Sequence, residues 1–109
     1  MPYKDPAARR AANRRHYERN ADRERRRVVV RRERVKQEAR DLVRAAKEVP
    51  CADCGGTFSS VCMDFDHQGD KTAAIAKMVS DGRSLDMIEA EIAKCEIVCS
   101  NCHRIRTWL

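Results

Sequence analysis

Val28, Val35, Leu42 and Val49 recur every seven residues, with Ala39 and Ala46 between them at helical spacing. This pattern predicts an amphipathic helix of about 20 residues, stopped by Pro50. Residues 1–27 carry alanines and Tyr17 but no large aliphatic stripe, which predicts a stretch that is helical only when bound, or disordered. After Pro50 the pattern changes to knuckle, strand, insert, strand, helix. "SVCMDFDH" has β-type residues in rough alternation and predicts a strand ending near His67. "DKTAAIAKMVSDG" and "SLDMIEAEIAK" predict two short helices whose stripes, Ile75, Met78, Val79 and Leu85, Ile88, Ile92, belong to the core. Gly82 suits a helix stop and Ser84 an N-cap. "CEIVC" predicts a second strand and "SNCHRIRTWL" a closing helix anchored by Trp108. The fold class is α+β, with no internal repeat.

Charge divides the chain. Residues 1–48 hold 17 Lys+Arg against 8 Asp+Glu, a net of +9, while residues 49–109 hold 6 against 9, a net of −3. We therefore expect an arginine-rich arm over 1–48 and a separate domain over 49–109. Arginine forks match phosphate bidentately, so the arm points to a polyanion such as DNA in preference to a merely solvated face. His16, among those arginines, is expected to be solvated or phosphate-facing. With 5% aromatic and 37% charged residues, the chain has little material for a core, and a metal or partner is expected to hold the fold. No stretch approaches the roughly 20 apolar residues of a membrane span, and "MPYKDPAARRAANRR" has no apolar run after its basic start. The expectation is a cytoplasmic protein whose cysteines are reduced thiols.

The six cysteines are the main candidates for chemistry. "CSNCH" has the letters of a c-type haem attachment site, but only six residues follow His103 and none is Met or His, which leaves no axial ligand there. Cys51-x-x-Cys54 and Cys99-x-x-Cys102 form two knuckles separated by 44 residues. Each brings two thiolates to one metal from a single turn, and two turns complete the tetrahedron that zinc prefers. A redox dithiol competes for either knuckle alone, and a ligand set with Cys95 in place of Cys99 is an alternative. Cys62 and Cys95 are otherwise expected to be small buried hydrophobes.

"CADCG", "MDFDH" and "KCEIVCSNCHRIRT" together resemble the HNH endonucleases of the ββα-metal type that bind zinc through four cysteines, in particular small bacteriophage proteins. The resemblance covers residues 51–107. It implies a small zinc-stabilised ββα-metal (HNH) domain preceded by a long basic helical arm. It implies that His67 is the general base, and that Asp66 and His103 hold one catalytic Mg²⁺ or Mn²⁺ beside the structural Zn²⁺. DNA would be cut to leave a 5′-phosphate and a 3′-hydroxyl. Imidazole suits the task because its unperturbed pKa, about 6.5, lies near working pH. The middle Asn of the pattern has no counterpart, since the neighbourhood reads Ala93, Lys94, Cys95, Glu96. Orientation of His67 is therefore left to a backbone carbonyl or to Asn101. Asp64 would share a strand face with Asp66, in a structural hydrogen bond, and Lys71, Arg104 and Arg106 are candidates for phosphate contacts.

Two other classes compete. A non-catalytic zinc module that binds nucleic acid explains the cysteines and the charge, but not Asp66, His67 and His103. An interaction protein would dimerise through the Val28–Val49 seam. For a nuclease, double-strand cutting with one site per chain would favour a homodimer. A role with phage packaging proteins in the host cytoplasm is also compatible.

Overall fold

A computed structural model describes residues 5–109; the first four positions of the arm lie outside the described residues. Helix α1 runs over Pro6–Ala46, 41 residues. Asp5 caps it by accepting a hydrogen bond from the Ala7 amide at 3.0 Å, and Pro6 occupies the first helical position, where a missing N–H costs nothing. From Ala7 to Ala46 the sequence has no glycine or proline and is rich in Ala, Arg and Glu, all strong helix formers. Short-range ion pairs run along it, including Arg25–Asp22 and Arg27–Glu24 at 3.2 Å. The helix is thus longer than the roughly 20 residues that the apolar pattern predicts and runs from Pro6 onward: local propensity continues it where no apolar stripe exists. The helix also ends at Ala46, short of Pro50, with Lys47 closing the last turn through its amide to the Val43 carbonyl at 3.2 Å.

The chain divides into two compact units, one reaching Glu33 and one from Arg34 to Leu109. The second unit takes in the last turns of α1, because Ala39, buried to 1% exposure, packs with Leu42 and Val43 against Ile75, Met78 and Ile88. Val28 and Val49, the ends of the seven-residue pattern, are exposed.

Strands β1 (Met63–His67) and β2 (Cys95–Cys99) pair antiparallel, with Met63 opposite Cys99 and His67 opposite Cys95. Helices α2 (Ile75–Ser80) and α3 (Leu85–Ile92) are inserted between the strands, and α4 (Ser100–Trp108) follows β2 directly. The second unit is therefore a small ββα-like fold with a two-helix insert. The stripes assigned to the core are in it: Ile75, Met78 and Ile88 are buried, with Val79, Leu85, Ile92 and Cys95 packed around them. Gly82 has φ +72°, the left-handed conformation that stops α2, and Ser84 caps α3 by accepting from the Met87 amide at 3.2 Å. A second apolar cluster joins Met63 and Val98 to Cys51 and Cys99.

Two expectations are corrected. Trp108 is 78% exposed and anchors nothing, because α4 packs through its other face. Cys62 is exposed, in the 3₁₀ turn Ser60–Cys62 that leads into β1. Among the described residues no helix is long and apolar enough to cross a membrane.

Candidate functional site

The two knuckles meet. Cys51, Cys54, Cys99 and Cys102 bring their sulfurs within 4.8 Å of one another. A tetrahedron with Zn–S bonds of about 2.3 Å has edges of about 3.8 Å, so the four residues fit one Zn²⁺. Local backbone builds the cluster. Gly55 (φ +71°) turns the first knuckle, and its amide bonds to the Cys51 carbonyl at 2.9 Å. Cys99 is the N-cap of α4, its sulfur accepting from the Cys102 amide at 3.4 Å, and the Cys99 amide donates to the Cys51 sulfur at 3.3 Å.

These donors favour thiolate on selected sulfurs. The Cys54 amide, chief among the backbone N–H groups facing Cys51, helps bring the Cys51 thiol down to about 6. Cys102, hydrogen-bonded to Cys99 and crowded by the other thiols, is pushed up to about 12. Four sulfurs this close cannot all ionise without a cation among them, and a divalent ion supplies that charge. Cys95 lies outside the cluster, where burial, followed by Glu91 and Asp66, pushes its thiol up.

Side chains alternate along β1, so Asp64 and Asp66 share one face and Phe65 and His67 the other. α4 meets the aspartate face. His103 Nδ1 is 3.0 Å from Asp64 Oδ2; a carboxylate only accepts, so Nδ1–H donates, and in the neutral ring Nε2 then carries the lone pair. That Nε2 lies 3.8 Å from Asp66 Oδ1. Two donors of a single ion with bonds of about 2.1 Å stand about 3–4 Å apart, so Asp66 and His103 fit a shared Mg²⁺ or Mn²⁺ as two of its ligands. Asp64, through its contact with Nδ1, fixes the orientation of the His103 ring. Among the described residues, however, the four cysteines are the one group of three or more donors close enough to share an ion.

His67 has a carboxylate behind it as well. Its Nε2 is buried with no hydrogen-bond partner, 3.9 Å from Glu91 Oε2, while 13% of the side chain keeps access to solvent. Glu91 is the buried charged residue of the unit, 2% exposed. Lys94 Nζ holds it at 2.9 Å and the Thr72 amide donates to both of its oxygens at 3.2 and 3.3 Å. The Lys94 hydrogen bond, aided by Thr72 and by His67, keeps the Glu91 carboxyl below its ordinary value. The group facing His67 is therefore Glu91, which the sequence reading missed. Asn101 is exposed and lines a different depression, with Arg104 and Trp108.

His67, His103 and Asp64 line one cleft of about 360 Å³, together with Lys71 and Lys47. Its strand residues come from both faces of β1 and none from β2, so the cleft follows the unpaired edge of β1. Of the phosphate-contact candidates, Lys71 lines this cleft and Arg104 does not. Arg106 is directed inward: it grips Asp53 twice at 2.6 Å, Asp66 at 2.7 Å and Glu96 at 3.3 Å. Its guanidinium holds the Asp53 carboxyl below the usual range and fixes Asp66 by Oδ2, leaving Oδ1 toward His103.

Comparison with known protein families, with curated proteins and with solved structures finds no match. A functional reading therefore stands on the residues and their geometry.

Proposed function

We propose that this chain is a metal-dependent endonuclease of the HNH type that hydrolyses DNA phosphodiester bonds. The observation that carries the reading is the pair of carboxylate-backed histidines on one cleft, His103 on Asp64 and His67 beside Glu91. A zinc module that only binds nucleic acid has no need of either pair.

In this reading Asp64 aims His103 through Nδ1, leaving Nε2 toward Asp66, and Glu91 stands behind His67. His67, with Nε2 toward Glu91, presents Nδ1 to the cleft as general base. It takes a proton from water as the water oxygen bonds to phosphorus. The bond from phosphorus to the 3′-oxygen breaks, and that oxygen leaves as a 3′-hydroxyl once protonated, with the phosphate on the 5′ side. His103 Nε2 and Asp66 Oδ1 would hold Mg²⁺ or Mn²⁺, and Arg106 keeps Asp66 aimed at that position. The ion, when bound, stabilises charge on the phosphate and the leaving oxygen as a Lewis acid. The cysteine zinc ties α4 to the sheet and thereby fixes His103 relative to β1. Action on DNA in the cytoplasm, that of the host for a phage-encoded protein, belongs to this proposal.

One observation favours the non-catalytic nucleic-acid-binding alternative: Asp66 already has a counter-charge in Arg106 at 2.7 Å. The test is supercoiled plasmid incubated with zinc-loaded protein, with and without added Mn²⁺ or Mg²⁺. Nicked or linear product that needs the added metal supports the enzyme. Intact plasmid retarded on a gel supports the binding module.

A further inference from the structure

A second depression, of about 310 Å³, adjoins the cleft and shares Val43, Lys47 and Ala76 with it. Arg40, Arg44 and Lys47 supply its charge, Val61 and Val79 line its apolar part, and no carboxylate lines it. Positions 40, 44 and 47 fall on one face of a helix. Seven residues of helix rise about 10 Å, so the three cations form a short row along one side of the depression. Arg44 shares one nitrogen with Asp41 at 2.8 Å, yet its side chain stays 56% exposed.

Lys47 stands at the junction. Its ammonium lies 5.2 Å from the centre of the Phe65 ring, and both residues line the cleft of His67 and His103. This cation–π contact holds the charge at the cleft mouth before any ligand arrives. Val61 is 85% exposed, an apolar surface beside a row of cations. A sugar–phosphate backbone matches that pairing, with deoxyribose carbons over valine and phosphate oxygens on arginine and lysine.

The geometry points to a phosphate track for one strand of duplex DNA, running over Arg40, Arg44 and Lys47 and entering the cleft past Lys71. Lys47 binds a phosphate beside the scissile one. The choice of DNA rests on the nuclease reading; the track rests on the adjoining depressions and the placement of Lys47.

The test is the salt dependence of duplex binding by zinc-loaded protein with no Mg²⁺ or Mn²⁺ added. Lys47→Gln should lower the slope of log K against log salt by about 0.9, the value of one phosphate contact. Lys47→Arg should restore it. Arg83→Gln removes an exposed cation that lines neither depression and should leave the slope unchanged. Equal slopes for Lys47→Gln and Arg83→Gln overturn the track, as does a Lys47→Gln effect seen on an RNA duplex or on polyglutamate but not on DNA. Binding that follows the prediction in a protein that never cuts plasmid supports the track and overturns only the nuclease reading. Cleavage with an unchanged Lys47→Gln slope does the reverse.

Discussion

Cys102 and His103 are neighbours in sequence, yet they belong to two sites built on different principles. The cysteine cluster is self-contained: two knuckles, four sulfurs within 4.8 Å, and backbone amides that orient them. The histidine cleft is assembled from the strand edge of β1, the first turn of α4, the start of α2 with the loop before it, and the end of α1, with Glu91 of α3 behind His67. The difference teaches where each site is vulnerable. The cluster depends on its own ligands, whereas the cleft depends on the cluster to position α4 and on the carboxylates of Asp64 and Glu91 to aim its imidazoles.

That dependence runs one way. Cys51→Ser should lose the zinc, cooperative unfolding and cleavage together, because the ligand removed is also part of the core around Met63 and Val98. Metal analysis and a circular-dichroism melt check it; full zinc retention would reject the ligand set. Asp64→Asn should keep the zinc while weakening Mn²⁺ activation about 10–100-fold, the usual cost of removing an outer carboxylate from a ligating histidine. A Mn²⁺ titration of cleavage reads this, and an unchanged midpoint would return Asp64 to a purely structural hydrogen bond.

The carboxylate behind His67 sharpens the comparison through pH. The folded Glu91 carboxyl lies below its ordinary value of 4.5, so ionised Glu91 stabilises the fold. That stabilisation is complete above the ordinary value and is lost as pH falls through the lower folded one. Parent protein should therefore outlast Glu91→Gln in thermal melts at pH 7, and the gap should close as acid protonates Glu91. A gap that is constant into the acid range would contradict the ion pair of the buried Glu91 with Lys94.

What could be read from the sequence follows the same division. Paired cysteines two residues apart declare themselves, because both ligands of a knuckle come from one turn. Asp64 and Asp66 were visible as residues on one face because strand alternation is regular. Glu91 was missed because its partners, Thr72 and His67, are remote in the chain. A signal was present: Glu91 follows Ile88 by three residues, and thus places a charge on the buried stripe of α3. Trp108 and Cys62 were misjudged because size and type say nothing about which side of a short terminal helix or turn faces the core. The helix over the arm was underestimated because periodicity detects packing, and residues 6–33 form helix through local propensity.

The smallest expected effect concerns that helix. Ala39 is the one buried residue of α1, so amides before residue 34 have no packing to protect them. Hydrogen exchange should be faster over residues 6–33 than over 34–46 in the free protein. Equal protection would mean that the first stretch is covered in solution, for example by a second copy.

His67→Ala tests the central claim most directly, assayed on supercoiled plasmid with Mn²⁺ beside a zinc measurement on the same sample. The variant removes an imidazole that contributes no thiolate to the cluster. It should retain zinc and DNA binding while cleavage falls about 10²–10⁴-fold, the usual contribution of a general base. Cleavage by His67→Ala at the parent rate would contradict the account, because no carboxylate-backed base would then be needed in the cleft.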